Sequence, residues 1–225
     1  MNIGYLLFIV IGVVGMIVQA RLQSVFKKYS RVRFANGLTG REVAEKMLRD
    51  NGIYDVKVVS TRGHLTDHYN PSTRTVNLSE SVYGSNSVAA AAVAAHECGH
   101  AVQHACGYAP LRLRSALVPI VQVSSSLSTW VILIGIVMLN SFPALFWLGI
   151  AMVAASALFS IITLPVEYNA SQRALAWLTE SGTLMAGEEQ GAEVSLRWAA
   201  RTYLVAALSA IATLIYYLGF ARNND

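Results

Sequence analysis

Charge is what this sequence has least of. Only 13% of its 225 residues are Asp, Glu, Lys or Arg, against 54% hydrophobic. A soluble globular domain carries about a quarter charged residues, so the composition argues against such a domain and for a chain built into lipid. The basic residues form no tract interleaved with aromatics, which leaves nucleic-acid binding without an electrostatic footprint. Cysteine is almost as scarce, with Cys98 and Cys106 alone. Both fall on one stretch of helix, about 12 Å apart along its axis, too far for a disulfide. They read as small buried helix residues in a reducing compartment. Internal repeats are absent, as is low complexity beyond the alanine run at residues 89–92.

Long apolar runs take the place of charge. Residues 3–20 contain no charged side chain and approach the length of about 20 residues that spans a bilayer. A cleaved secretory signal would carry positive charge before its apolar core. Here Arg21, Lys27, Lys28, Arg31 and Arg33 follow it, so the segment reads as an uncleaved anchor. Further spans are predicted over residues 116–138, 144–166 and 203–220, with NSFP at 140–143 as the break between the middle two. The distribution of Lys and Arg sets the orientation. Segments 21–115 and 167–202 hold sixteen of the seventeen basic residues, and only Arg222 lies outside them. Both are therefore assigned to the cytoplasm and the two termini to the opposite side. The expected division is an anchor (1–20), a cytoplasmic segment (21–115), a transmembrane hairpin (116–166), a second cytoplasmic segment (167–202), and a last span with a short tail (203–225).

Within the first cytoplasmic segment, residues 38–52 predict an amphipathic helix. Thr39 and Glu42 have capping-box spacing, Val43, Met47 and Leu48 share a face, and Asn51-Gly52 ends it. Residues 54–61 alternate like a strand, and residues 64–79 predict two more short strands around an Asn70-Pro71 turn. The expected product is a small α/β layer packed on the helix that follows, within a mainly α membrane protein of four spans. That following helix begins near residues 85–87 and stops at Gly107.

It carries His96-Glu97-Cys98-Gly99-His100, an HExxH pattern. Two histidines four apart on a helix lie one turn above each other, so both rings can reach one Zn2+ ion. Glu97 then stands beside the metal, placed to take a proton from a water that zinc acidifies. A helix otherwise made of Ala and Val has no structural use for these groups unless something pairs them. Gly99 lets another element approach closely.

A catalytic zinc takes three protein ligands and keeps one position open. His104 continues the same face, but another turn, about 6 Å, further along. His64 and His68 lie on the strand layer with no spacing rule in their favour. Glu167 is the preferred third ligand, because a lone carboxylate at a membrane boundary needs a partner and zinc supplies one.

Taken together, HECGH, VEYNASQRAL, LTDHYNPSTRTVNLS and GYAPLRLRSALVP resemble the YugP-type membrane-bound neutral zinc metallopeptidases. A more distant similarity runs to the HtpX-type and CAAX prenyl proteases. The resemblance implies a bacterial inner-membrane endopeptidase, with Glu167 as ligand on a helix that follows membrane spans. Those relatives often carry Asp four residues after that Glu, where this chain has Ser171. The HtpX-like pattern also implies that the strand before the HExxH helix receives substrate as an added strand, here over residues 68–78 with His68, Tyr69, Val76 and Leu78.

His68, Tyr168, Asn169 and Arg173 are candidates for stabilising the oxyanion of the tetrahedral intermediate. Asn169 is alternatively a group that orients a ligand histidine, and His104 takes a supporting or packing role. The expectation is a single-zinc metalloendopeptidase acting on membrane proteins or peptides at the cytoplasmic face. Its rival is a non-catalytic membrane component with a structural zinc clamp that works through protein partners. Glu97 discriminates between them, since a structural site needs no base beside the metal.

Overall fold

The structure is a computed structural model that describes residues 3–63, 65–185 and 187–222. Its elements are, in chain order, α1 (Ile3–Tyr29), α2 (Gly40–Asp50), β1 (Lys57–Thr61), β2 (His68–Asn70), β3 (Thr75–Ser79), α3 (Glu80–Tyr83), α4 (Val88–Ala105), α5 (Ala109–Val137), α6 (Pro143–Glu180) and α7 (Glu189–Arg222). Helices α1, α5, α6 and α7 are each long and apolar enough to cross a membrane. The four predicted spans and the small sheet are present. All four long helices run past their apolar stretches: α1 continues to Tyr29, and α6 carries on without interruption from the third span through Glu167 to Glu180.

The chain forms two compact units. One contains the apolar parts of the long helices: α1 up to Val18, Arg112–Pro165, and α7 from Thr202 onward. Its outward side chains are apolar, Met16, Trp130 and Val137 among them, which water would penalise and lipid accepts. Inside it, α5 and α6 meet through glycine. A Cβ on Gly135 would stand 2.6 Å from the Phe146 Cα, and one on Gly149 would stand 2.5 Å from Ile132 Cγ1. Small residues let transmembrane helices gain dispersion contacts at close range, and Ile132, Phe146 and Ile150 form a core there.

The other unit comprises Gln19–Leu111 and Val166–Arg201. Its α2 begins with the predicted capping box. The Thr39 hydroxyl accepts from the Glu42 amide, and the Glu42 carboxylate accepts from the Thr39 amide at 2.8 Å. Val43, Met47 and Leu48 are buried against α4, β3 and α3 in one core that also takes in Val76, Leu78 and Val82. The sheet order is β1-β3-β2, with β1 parallel and β2 antiparallel to β3.

That order corrects one sequence expectation. Residues 68–78 are not a single receiving edge. Val76 and Leu78 belong to the middle strand and are fully buried; Val76 pairs with Val58 of β1 and Tyr69 of β2, and Leu78 pairs with Ser60 of β1. Only β2, with His68 and Tyr69, and β1 keep an outer edge. A second correction concerns cysteine: Cys98 is buried as expected, but Cys106 is exposed, beyond the end of α4; both are free thiols.

Helices α4 and α6 also approach closely in this unit. A Cβ at Gly99 would lie 2.6 Å from the Ala170 carbonyl oxygen, a backbone atom with nowhere to swing. Gly99→Ala is therefore expected to destabilise the protein by about 1–3 kcal/mol, the usual cost of overpacking. Gly84→Ala meets open space and serves as the control, staying within about 0.5 kcal/mol of wild type. Thermal unfolding in detergent micelles measures both; equal stability of the two variants would contradict the close contact.

Candidate metal centre

Helix α4 is an alanine-rich segment with defined ends. Ser87 caps it, its hydroxyl accepting from the Ala90 amide at 3.2 Å, and Gly107 leaves it at φ +63°, a conformation glycine adopts without steric cost. Helical spacing sets His96, Gly99, His100 and Gln103 along one face. On α6, the same spacing aligns Glu167, Ala170, Ser171 and Ala174, and the two alanines are fully buried. These small residues, with Gly99, bring the two helices together.

The result is a convergent trio. Glu167 Oε2 stands 3.3 Å from His96 Nε2 and 3.4 Å from His100 Nε2. The three ligand atoms lie within 4.8 Å of one another, and each of the three residues is buried. Two donors about 2.0–2.1 Å from a tetrahedral zinc stand about 3.3–3.4 Å apart, so the spacing suits that ion. The donor chemistry suits it too, as two imidazoles and a carboxylate are a familiar catalytic zinc set.

Electrostatics point the same way. Burial alone would disfavour a charged His100, yet the Glu167 carboxylate hydrogen-bonded to it, helped by Glu97, raises its pKa. The site thus rewards positive charge where the ligand atoms meet. Burial pushes the Glu97 carboxyl up, with His96 and His100 opposing, and a carboxyl tuned upward suits proton transfer near neutral pH. Burial also holds the Cys98 thiol well above its ordinary range, which keeps it protonated and unfit as a ligand.

Behind the trio, each histidine has a partner for its far nitrogen. His96 Nδ1 is 3.1 Å from the Ser171 hydroxyl, and His100 Nδ1 is 3.0 Å from Gln103 Oε1. Ser171, four residues past Glu167 on α6, thus meets the His96 ring with a hydroxyl. Gln103 was missed in the sequence, although it lies three residues past His100. The available signal was a polar amide on the ligand face of an apolar helix.

The other sequence candidates are spread around this centre. His104 is exposed and lies outside the trio; its Nδ1 is 2.7 Å from the Tyr69 hydroxyl. His68 is exposed on β2, with Nδ1 2.8 Å from the Thr66 carbonyl oxygen, and His64 lies outside the described residues. Tyr168 is 61% exposed and lines a groove between α6 and α7 with Ser171, Glu193 and Arg197. Asn169 Oδ1 accepts from Gln103 Nε2 at 3.0 Å and from Arg173 Nε at 2.7 Å. Arg173 also reaches Cys106 Sγ at 3.7 Å. Asn169 thus meets the amide that touches His100, while Arg173 holds Asn169.

Comparison with known proteins agrees with this chemistry. The family described as "Putative neutral zinc metallopeptidase" matches residues 4–222. A Bacillus subtilis (strain 168) protein, "Putative membrane protease YugP", is 42% identical over 206 residues, which cover 92% of this chain and 91% of the relative. No solved structure matches. A family match running through nearly every described residue, on a chain whose His96, His100 and Glu167 converge as zinc ligands would, leads to one conclusion: the chain belongs to the neutral zinc metallopeptidase family.

Proposed function

We propose that the protein is a membrane-embedded zinc endopeptidase that cleaves membrane proteins or peptides at the cytoplasmic face, with one zinc ion held by His96, His100 and Glu167. The observation that carries the reading is the buried trio with an acid beside it. A structural clamp would need the three ligands, whereas Glu97 has a use only if a proton moves. Bound in the trio, zinc supplies the positive charge that polarises the scissile carbonyl and acidifies the attacking water. Glu97 accepts the proton of that water and returns it to the departing amine. His96 and His100 present Nε2 because Ser171 and Gln103 occupy their Nδ1 atoms.

The approach of substrate is read from the sheet. Glu97 and His104 are seven residues apart, roughly two helical turns, so they share one side of α4. Tyr69 of β2 bonds His104 on that side. β2 thus lies toward the side of α4 that carries the base, and in this reading an extended peptide added to its outer edge is presented to Glu97. Of the oxyanion candidates, His68 lies on that same strand, and Tyr168 lies on the groove beside α7. The cytoplasmic assignment is supported by the concentration of Lys and Arg in segments 21–115 and 167–202, and the bacterial inner membrane by the resemblance to a Bacillus subtilis membrane protease.

Two experiments test this. Purified wild type and Glu97→Gln should hold equal zinc, and cleavage of casein or a membrane-protein substrate should fall by about 100-fold or more in the variant; equal cleavage would sink the mechanism. Successive N–H groups of a strand face opposite sides, so one of His68→Pro and Tyr69→Pro removes an outward donor of β2. That variant should lose about tenfold or more in cleavage while keeping wild-type zinc content and thermal stability. Two folded variants that cleave like wild type would rule out strand addition at β2.

A further inference from the structure

The zinc-ligating histidines need one tautomer, with Nε2 bare and the proton on Nδ1. For His100 that choice is settled by a side chain with no exposure at all. Gln103 is fully buried within α4. Its amide nitrogen has two donor hydrogens, and both have acceptors on α6: the Val166 carbonyl oxygen at 2.7 Å and Asn169 Oδ1 at 3.0 Å. Neither acceptor can exchange roles with it. A carbonyl oxygen only accepts, and Asn169 Oδ1 is fixed as an acceptor by the Arg173 guanidinium, which only donates, at 2.7 Å. The Gln103 amide is thereby oriented, and its Oε1 faces His100 Nδ1 at 3.0 Å. An oxygen at that place accepts, so the proton must sit on Nδ1.

We infer that Gln103 is a positioning residue for the metal centre: it holds His100 in its Nδ1-protonated tautomer and, through the same amide, ties that ring to the α6 backbone immediately before the ligand Glu167. Asn169 and Arg173, both offered by the sequence as oxyanion groups, become the props of this amide. One side chain thus registers two ligands carried by two different helices. This rests on the zinc reading of His96, His100 and Glu167.

Its test sets the two substitutions that separate hydrogen bonding from packing against each other. Gln103→Met keeps the length of the side chain and an apolar fit, but supplies no acceptor. Gln103→Glu keeps an oxygen toward His100 Nδ1, at the expense of a carboxylate in a buried place. Zinc affinity is measured by chelator competition in detergent, with the ligand-field absorption of the Co2+-substituted protein as an independent readout of coordination. Losing an outer partner of a metal-bound histidine lowers affinity by about 10–100-fold. Gln103→Met is expected to fall in that range with an altered Co2+ spectrum, and Gln103→Glu to bind zinc at least tenfold more tightly than Gln103→Met. A packing role predicts the reverse order, and Gln103→Met binding zinc like wild type, or more tightly than Gln103→Glu, would overturn the proposal. If Gln103→Glu does not fold, Asn169→Leu replaces it. That variant leaves Oε1 in place with one acceptor fewer to orient the amide, and its zinc affinity should fall about threefold, while an unchanged affinity would overturn the proposal. Failure of wild type itself to bind zinc would instead remove the zinc reading on which the inference stands.

Discussion

Three ligand atoms carried on two helices can meet at one ion only if the helix backbones approach closer than ordinary side chains permit. In this protein the approach is made at Gly99, where a Cβ would sit 2.6 Å from the Ala170 carbonyl oxygen. Ala170 and Ala174 are fully buried on the facing side of α6, so small residues on both helices clear the contact. His96 and His100 lie one residue position or a turn from Gly99 along α4, and Glu167 lies one turn before Ala170. A larger residue at Gly99 would push Glu167 off the histidines, and the acid would be left buried without its partners. The chemistry of the site therefore rests on a packing constraint next to it.

Burial then gives the site its electrical character. A carboxylate and two imidazoles withdrawn from water interact far more strongly than they would at a surface. The Glu167 carboxylate opposite His100 lifts that ring's affinity for a proton in spite of burial, the mark of a place that attracts a cation. Glu97, which has no hydrogen-bonded partner of that kind among the described residues, is shifted upward chiefly by burial. Two glutamates within one site thus have opposite surroundings, and the proposed function assigns one as ligand and one as base, the kind of division that separates an acid–base pair elsewhere in enzymes.

Much of this was legible in the sequence because it is written in local spacing. HExxH, the Thr39–Glu42 capping box and the apolar runs are all short-range patterns, and each appears in the structure where the spacing puts it. Glu167 could be chosen because a carboxylate at the end of an apolar span is conspicuous. What escaped was non-local. The position of β3 between β1 and β2 depends on a parallel pairing across a connection, which alternation of residues does not encode, so Val76 and Leu78 were read as an edge. The partners of the histidine rings, Gln103 and Ser171, are ordinary polar residues until the helices are docked. Asn169 and Arg173 drew notice as charged and polar neighbours of Glu167, but their direction, toward Gln103 and Cys106, needed the fold.

The central claim is that His96, His100 and Glu167 form one zinc site. The most direct measurement is the metal content of the purified protein, by elemental analysis, for wild type and for Glu167→Ala. The account predicts one zinc per wild-type chain and a folded variant that loses it on dialysis against a mild chelator. Zinc retained at full stoichiometry by Glu167→Ala, or a wild type that takes up none, would contradict it.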